Sequence, residues 1–475
     1  MATQHELCYS TATDLAKRLR DRDISSREVM QAHLDQIERV NPTVNAIVSQ
    51  LPAEQSLTAA DEADARLARG EEVGPLHGLP IAHKELEPTR GVRTTSGSPI
   101  FADRVPDHTS LHLERVQQAG AIMIGKTNVP EFGAGSHTFN PIFGATLNPY
   151  DTTKSCGGSS GGAGVALACG MLPIADGGDT GGSLRNPGNF NNVVGLRPSP
   201  GRVPRVPNTN GWNWVSVKGP MARTVADTAL LFSAMVGRDA RDPLTVDEPG
   251  DRFREPLDRD FAGARIAFSP DLGELPVDPR VADVLARAIP ALENDLRCRV
   301  DQATPDFTDA DEVFQVMRAY RYAANYKPYF DRERHRIKQS IVWNVEYGRS
   351  LSAEDVGVAE QKQAALYQRM VSFFETYDFL VCPVNQVPPF DVEIDYPTEI
   401  NGVQMENYIA WMKSAYWITA TGLPAISVPA GFTSDGLPVG MQIVGRPLDD
   451  LGVLQIAHAF EQATQHWRTR PGVVD

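Results

Sequence analysis

The sequence has few cysteines, and none of them stands at a spacing typical of a metal site. Five cysteines are spread along 475 residues without a CxxC pair or a His/Cys cluster. This pattern argues against a structural zinc site and against a disulfide scaffold. We therefore expect free, mostly buried thiols and a protein of a reducing compartment. These cysteines are Cys8, Cys156, Cys169, Cys298 and Cys382.

Long apolar runs and an excess of positive charge are also missing. No stretch approaches the roughly 18 apolar residues of a membrane-spanning helix, and the N-terminal stretch contains no apolar core of a signal peptide. The 45 Lys and Arg residues against 60 Asp and Glu residues give a formal net charge of −15, which disfavours a broad nucleic-acid interface. The sequence thus predicts a cytoplasmic protein that binds neither nucleic acid nor a membrane.

Two glycine clusters are present, but the residues that would make them nucleotide-binding loops are absent. Neither GGSSGG (157–162) nor TGGS (180–183) is followed by the lysine of a phosphate-binding loop. A dinucleotide fingerprint is incomplete, because Leu167 stands where its third glycine belongs. A flexible linker is disfavoured as well, because the apolar run GVALACGMLPIA (164–175) adjoins the first cluster.

The distribution of apolar residues predicts an α/β fold. Short apolar segments within 76–86 and 119–132 read as buried strands, and the pattern of 109–120 between them predicts a helix. This alternation is typical of βαβ units. Because strand-like segments return near the C-terminus, we predict one large domain with a central mixed, largely parallel β-sheet flanked by helices on both faces. The later strand predictions are 378–384, 424–432 and 438–445.

Helical patterns occupy three other parts of the chain. The N-terminal segment, about 10–60, has leucine, methionine and isoleucine at spacings of three and four, with Ser10 and Ser25 or Ser26 as predicted N-caps. A charged helical segment follows at about 280–376, and an amphipathic last helix is predicted at 451–467. Most aromatic side chains of the middle segment are expected to pack helices against the core.

The second glycine cluster also fits a catalytic turn. Small residues in TGGS leave successive backbone N–H groups free to bind a developing oxyanion, with Ser183 as the attacking nucleophile. An ordinary tight turn is the alternative interpretation. No histidine stands in a context such as GxSxG, so a buried lysine is the other candidate base; burial lowers a lysine pKa. Both Lys84 and Lys126 lie in apolar, strand-like segments, and the residues themselves do not separate them.

Several segments together carry a family resemblance. They are HGLPIAHKE (77–85), GKTNVPEF (125–132), FGATLNPYD (143–151), GGSSGGAGVALACG (157–170), DTGGSLRNPG (179–188), GLRPSPGRVP (195–204), GPMARTVAD (219–227), TGLPAISVPAGF (421–432) and GLPVGMQIVG (436–445). With these motifs in order, the chain resembles the amidase signature family of serine hydrolases. The resemblance implies one amidase signature domain over 1–475, with a variable helical insertion at about 280–376.

The resemblance implies a catalytic triad of Ser, cis-Ser and Lys. On this sequence it makes Ser183 the nucleophile, Lys84 the base and Ser159 the serine that passes a proton between them. The family places the bridging serine in a cis peptide. The implied reaction proceeds through an acyl-enzyme and needs no metal and no organic cofactor.

Further site residues follow from the same resemblance. The backbone amides of the TGGS turn would bind the oxyanion, and the loop from Glu131 to Gly135 would shape the acyl pocket. The implied binding residues are Thr180, Gly181, Gly182 and Gly133. Asp179 and Arg185 are expected to hold the nucleophile turn by hydrogen bonds.

Four positions depart from the family pattern, although none removes a triad member. Glu85 replaces a usual aspartate and His83 a valine-like residue, while Gly178 replaces a threonine and Cys156 a proline or glycine. The setting of the lysine and the support of the nucleophile turn are therefore expected to differ. Cys156 is a weaker alternative nucleophile, because nothing in its sequence context marks it as a thiolate.

The resemblance leaves the substrate open among carboxamides, aryl amides, carbamates and esters. The expected partner is a small-molecule amide, and a homodimer is a possible assembly. One alternative function is the glutaminase component of a tRNA-dependent amidotransferase; a remote one is a non-catalytic binding protein. Trp212, Trp214 and the tyrosines of the helical insertion either line the pocket or, as we favour, pack against the core.

Overall fold

Fourteen strands, most of them in one sheet, form the framework of the protein. The computed structural model describes residues 4–474. The strands are β1 (Pro80–Lys84), β2 (Ile122–Thr127), β3 (Phe139–Asn140), β4 (Gly144–Ala145), β5 (Ile174–Asp179), β6 (Val194–Arg197), β7 (Val217–Ala222), β8 (Arg265–Phe268), β9 (Arg299–Gln302), β10 (Phe379–Pro383), β11 (Glu399–Ile400), β12 (Val403–Gln404), β13 (Ala425–Phe432) and β14 (Pro438–Val444). Two short pairs, β3 with β4 and β11 with β12, stand apart from the main sheet.

The main sheet has ten strands in the order β2-β1-β5-β7-β6-β13-β14-β10-β8-β9. Parallel pairing is confined to its two ends, β2-β1-β5 and β10-β8-β9. Every pair between β5 and β10 is antiparallel. The sheet is therefore mixed, as the sequence predicts, and the two ends of the chain contribute neighbouring strands at its centre.

Helices cover both faces of this sheet. They are α1 (Gln4–Tyr9), α2 (Ala12–Asp21), α3 (Ser26–Val44), α4 (Ala53–Ala68), α5 (Leu111–Gln118), α6 (Gly161–Ala168), α7 (Arg185–Phe190), α8 (Val225–Met235), α9 (Pro279–Pro290), α10 (Ala310–Glu333), α11 (Gln339–Ser350), α12 (Ala353–Thr376), α13 (Lys413–Thr421) and α14 (Asp450–Thr464). Within residues 4–474, no helix has both the length and the apolarity needed to cross a membrane.

Alternating side chains of the main-sheet strands pack into different cores, as the pleat of a strand requires. Ile266 and Ile443 join the core formed with α2, α5, α8, α9 and α14. Their sequence neighbours Ala267 and Val444 join the opposite core, which is formed with α10, α12 and α13. Because both faces are buried, the strands read as nearly continuous apolar runs, and the α/β prediction is confirmed.

The N-terminal helical pattern is confirmed, with one correction to its caps. Ser25 caps α3 in a capping box, in which its side chain accepts from the Glu28 N–H and the Glu28 side chain accepts from the Ser25 N–H. The cap of α2 is Thr11, which accepts from the Asp14 N–H, and not Ser10. Ser10 instead closes the preceding helix α1, because its N–H donates to the Glu6 carbonyl.

The strand segments predicted from the sequence do not include β5 to β9. β8 and β9 form the outer end of the sheet, and β9 lies inside the segment predicted to be helical from about 280. Three of the four β9 residues are exposed, so this strand lacks the apolar signature of a buried strand. The last helix is also shorter than predicted, because α14 ends at Thr464 and Gln465 adopts a left-handed conformation.

The topology brings two strand ends to one edge of the sheet. β1 and β5 are parallel neighbours, so their last residues, Lys84 and Asp179, lie at the same edge. The TGGS turn follows β5, and the GGSSGG segment leads into the buried helix α6. Both glycine clusters therefore meet beside the end of β1.

Candidate active site

Lys84 lies at the centre of a buried cluster of hydroxyl groups. Its Nζ donates hydrogen bonds to Ser159 Oγ at 2.9 Å, to Ser160 Oγ at 2.8 Å and to the Gly178 carbonyl at 3.3 Å. The residue is only 1% exposed. The amine thus has three polar partners, and no carboxylate in the described part of the chain is in hydrogen-bonding contact with it.

This environment disfavours the charged form of the lysine. Burial, followed by the positive charge of Lys218, lowers the pKa of Lys84 to about 7, although Glu87 acts in the opposite direction. Lys218 itself forms an ion pair with the buried carboxylate of Glu87. A large fraction of Lys84 is therefore neutral near neutral pH, as a general base requires.

The structure distinguishes the two candidate lysines. Lys126 is also buried, and burial lowers its pKa to about 8. Its Nζ, however, donates to the Glu87 carbonyl and to Thr89 Oγ1, each at 2.6 Å. Only Lys84 contacts the serines of the first glycine cluster. The difference arises because Lys84 ends β1 beside β5, whereas Lys126 lies in the outer strand β2.

The two glycine clusters meet at a cavity of about 200 Å³ that Lys84, Ser159 and Ser183 all line. The Ser160 N–H donates to the Ser183 carbonyl at 3.2 Å, which joins the clusters directly. The Gly158–Ser159 peptide bond is cis. Ser183 is 8% exposed, so its hydroxyl lies in a cavity that a small molecule can enter.

Asp179 anchors the turn that carries Ser183. Its carboxylate accepts from the Gly182 N–H at 2.9 Å and from the Leu184 N–H at 3.2 Å. Arg185 binds both carboxylate oxygens at 3.0 Å, and Arg197 binds one of them at 3.1 Å. Burial raises the pKa of Asp179, but the two guanidinium groups outweigh it and hold this pKa well below its usual range.

These contacts change the expectation for one oxyanion-binding residue. The N–H of Gly182 is already donated to Asp179, and Gly182 has a φ of +102°, which a residue with a Cβ rarely adopts. Thr180, Gly181 and Gly133 line the cavity as expected. Gly182 therefore shapes the turn, and its N–H is engaged by Asp179 rather than free for an oxyanion.

The residues that depart from the family pattern have structural partners. His83 Nδ1 lies 2.6 Å from Asp176 Oδ1, in a pair buried beneath β1 and β5. Glu85 accepts from both the N–H and the hydroxyl of Thr95, at 2.7 and 2.8 Å. Burial raises the pKa of the Cys156 thiol to about 12, which excludes a ready thiolate at that position.

The loop expected to shape the acyl pocket does reach the cavity. Phe132, Gly133 and Gly135 line it, while Glu131 turns away and binds Ser98 Oγ at 2.6 Å. An ideal Cβ on Gly133 would lie 3.5 Å from Ser159 Oγ. The loop thus sets the space available next to the bridging serine.

Helix α10 also lines the cavity, and the sequence predicts only part of this lining. Its residues at spacings of three and four face the cavity, namely Phe314, Arg318, Arg321, Tyr322, Asn325 and Tyr326. The sequence prediction includes the tyrosines but not the two arginines. Their regular spacing on one face of the helix indicates that they share this face with the tyrosines. The packing interpretation is correct for Trp214, which adjoins a core cluster, whereas Trp212 is 71% exposed.

Comparison with known proteins agrees with this geometry. The chain matches the Amidase family model over residues 28–454. It is 34% identical to an acylamidase of Rhodococcus erythropolis, with 98% of this chain and 97% of the relative covered. It is 35% identical to one of the subunits of the glutamyl-tRNA(Gln) amidotransferase of Moorella thermoacetica, with 98% and 99% covered.

A solved structure gives the same result at the level of the fold. The crystal structure of a bacterial aryl acylamidase of the amidase signature family superimposes with a TM-score of 0.90 at 28% identity. The match covers 97% of this chain and 98% of that one. The chain belongs to the amidase family, and it is an amidase, a hydrolase of amide C–N bonds.

Proposed function

We propose that this amidase hydrolyses a small carboxamide through an acyl-enzyme on Ser183, with Lys84 as the base and Ser159 as the proton shuttle. The observation that carries the proposal is the 2.9 Å contact between Lys84 Nζ and Ser159 Oγ in a site that lowers the lysine pKa to about 7. Ser183 lines the same cavity. The three groups therefore have the base, relay and nucleophile chemistry that acyl transfer needs.

The three partners of Lys84 match the hydrogen-bonding capacity of a neutral amine. A neutral amine has two N–H donors and one lone pair. The Gly178 carbonyl can only accept, and Ser160 Oγ accepts the second N–H. The lone pair then faces Ser159, which donates its hydroxyl proton to Lys84 and takes the proton of Ser183 as that residue attacks the carbonyl carbon.

The oxyanion of the tetrahedral intermediate would bind to backbone amides of the turn. Gly182 is engaged by Asp179, so we assign the donors to Thr180, Gly181 and Ser183. The proton held by Lys84 returns through Ser159 to the leaving amine, and water then cleaves the acyl-enzyme. Removal of one such donor in other hydrolases typically costs about 100- to 1000-fold in turnover.

We also propose that the whole chain works as one amidase signature domain, in which the helices of 280–376 form the variable wall of the pocket. Its cavity of about 200 Å³ is smaller than the roughly 300–1,000 Å³ of sites for drug-sized ligands. The substrate is therefore small. A cytoplasmic location, the lack of a nucleic-acid partner and a homodimer stay predictions.

A second candidate function is the glutaminase step of an amidotransferase. The chain is about as similar to one component of a glutamyl-tRNA(Gln) amidotransferase as to an acylamidase, at 35% and 34% identity. The two functions share the acyl-enzyme chemistry but differ in substrate and assembly. Glutamine turnover only in the presence of partner subunits would favour this second function.

A panel of substrates tests the proposal. An aryl anilide, an aliphatic primary amide, an aryl carbamate and glutamine would be assayed with the wild type, Ser183→Ala, Lys84→Ala and the control Lys126→Ala. Turnover of an anilide, amide or carbamate by the wild type and the control, but not by the two site variants, is expected. Turnover that persists in Ser183→Ala would contradict the proposed nucleophile.

A further inference from the structure

Two arginines of α10 line the catalytic cavity and form no ion pair with an acidic side chain among residues 4–474. Arg318 and Arg321 lie one turn apart on the cavity face of the helix, and each is only 6% exposed. A buried guanidinium is normally paired with a carboxylate, because burial of an unpaired charge is costly. The partners of each residue therefore need to be accounted for.

Arg321 has the least complete set of partners. Its Nε donates to the Tyr320 hydroxyl at 3.2 Å, but its Nη1 is buried and has no hydrogen-bond acceptor among residues 4–474. The carboxylate of Glu360 acts on it through space, but Glu360 is exposed and makes no hydrogen bond to it. Buried donors are rarely left unsatisfied, so this guanidinium has an unused binding direction.

Arg318 is held in place by neutral groups. Its two Nη atoms donate to Asn344 Oδ1 and to the Tyr408 hydroxyl. Its guanidinium also lies 4.6 Å from the ring centre of Tyr322. These contacts fix the orientation of Arg318 but leave its positive charge uncompensated.

The other charges of the cavity are already paired. Lys218 is matched by Glu87, and Asp179 is matched by the two arginines behind the nucleophile turn. With a pKa of about 7, Lys84 is only partly charged near neutral pH. Among the charged side chains that line the cavity within residues 4–474, Arg318 and Arg321 are thus the two permanent positive charges without a carboxylate partner.

We propose that Arg321, assisted by the charge of Arg318, binds a carboxylate of the substrate, so that the enzyme acts on small amides that carry a carboxylate. A guanidinium binds a carboxylate through paired N–H donors, and this geometry gives both orientation and specificity. Apolar side chains also line the cavity, including Leu86, Val217 and Met412. They suit a short aliphatic spacer between the amide and the carboxylate of the substrate. This inference rests on the proposed function, because it names the substrate class of the same site.

Matched substrates test the inference, and they also distinguish the two sides of the amide. The first pair is the monoanilide of succinic acid and butyranilide, in which the acyl part does or does not carry the carboxylate. The second pair is 4-acetamidobenzoate and acetanilide, in which the amine part differs. We expect kcat/KM to favour the charged member of one pair by at least about 30-fold, the smaller effect expected for a buried hydrogen-bonded charge pair.

Variants assign that preference to the arginine. Arg321→Met is expected to remove most of the preference, because it lowers kcat/KM for the charged substrate more than for the neutral one, and Arg321→Lys is expected to restore part of the preference. The control Arg332→Met changes an exposed arginine of the same helix and is expected to keep the full preference. Equal use of charged and neutral substrates by the wild type would overturn the inference, as would an equal loss for both in Arg321→Met.

A binding measurement keeps this test independent of catalysis. Titration of glutarate into the wild type and Arg332→Met is expected to show binding, with at least about tenfold weaker binding to Arg321→Met. No binding, or equal binding to all three proteins, would overturn the inference. A different result would contradict the proposed function, namely hydrolysis of neutral anilides by Ser183→Ala. A folded Arg321→Met protein is checked by its unfolding curve.

Discussion

Lys84 Nζ lies 2.9 Å from Ser159 Oγ, at the point where β1 ends beside the two glycine clusters. This contact places a buried amine next to a hydroxyl, and no carboxylate within residues 4–474 is in hydrogen-bonding contact with that amine. The environment explains how the lysine can act as a base: burial lowers its pKa to about 7, and the positive charge of Lys218 acts in the same direction.

The pH dependence of kcat/KM follows from this pKa. The neutral amine is the active form, so activity should rise with pH through about 7 and be lost as the pH falls below it. The measurement is a pH profile with a neutral anilide. Lys126→Met should keep this limb, because Lys126 contacts Glu87 and Thr89 rather than the serines. If this limb moves in Lys126→Met, Lys84 is not the group whose titration controls kcat/KM.

Glu87→Gln should shift that limb to lower pH. The carboxylate raises the pKa of Lys84, and its removal also leaves the charge of Lys218 unmatched, which lowers the lysine pKa further. Both effects have the same sign. The matched control is Glu72→Gln, since Glu72 is exposed. A limb displaced to higher pH in Glu87→Gln would contradict this electrostatic account.

Asp179→Asn should destabilise the protein strongly. It would leave the guanidinium groups of Arg185 and Arg197 buried without their carboxylate, and loss of one partner of a buried ion pair costs about 3–5 kcal/mol. Urea unfolding measures the change. Asp247→Asn, which breaks an exposed pair with Arg238, should leave the curve nearly unchanged. Similar curves for the two variants would refute the anchoring role of Asp179.

Gly182→Ala should impair both the fold and turnover. At a φ of +102°, an added Cβ would lie 2.5 Å from Asn186 Oδ1 and 2.6 Å from Ala415 Cβ. Backbone strain of this kind costs about 1–3 kcal/mol, and relief of the clash would displace Ser183. The control Gly357→Ala adds a methyl group to open space on α12 and should stabilise slightly. Wild-type turnover in Gly182→Ala would show that the turn is not constrained.

Much of the site was accessible from sequence because its residues are locally encoded. The TGGS turn, the GGSSGG segment and the lysine at a strand end each have a short-range pattern, and so does the capping box of Ser25. The family resemblance, rather than the residues, separated Lys84 from Lys126. The physical reason for this difference between the two lysines lies in the order of strands. The strand of Lys84, β1, is next to β5, and the strand of Lys126, β2, is not.

Other features depend on contacts between distant parts of the chain. Arg197 reaches Asp179 from β6, and β9 is an exposed strand that is specified by its pairing with β8 rather than by its own pattern. The sequence indicates that Asp179 holds the turn by hydrogen bonds, but it does not indicate which N–H groups donate to it. The prediction that the Gly182 N–H is free to bind an oxyanion was therefore wrong, because this N–H donates to Asp179. The role proposed for Arg321 is inferred from the burial of its Nη1 without a hydrogen-bond acceptor among residues 4–474. No local sequence pattern indicates this burial.

Trapping of the acyl-enzyme tests the central claim most directly. The wild type would be mixed with a slowly hydrolysed aryl ester, quenched in acid, and examined by intact-protein and peptide mass spectrometry. The account predicts one acyl group per chain, located on Ser183 by fragmentation of the peptide that carries both glycine clusters, formed slowly in Lys84→Ala and absent in Ser183→Ala. An adduct on Ser159, Ser160 or Cys156, or one that persists in Ser183→Ala, would contradict it.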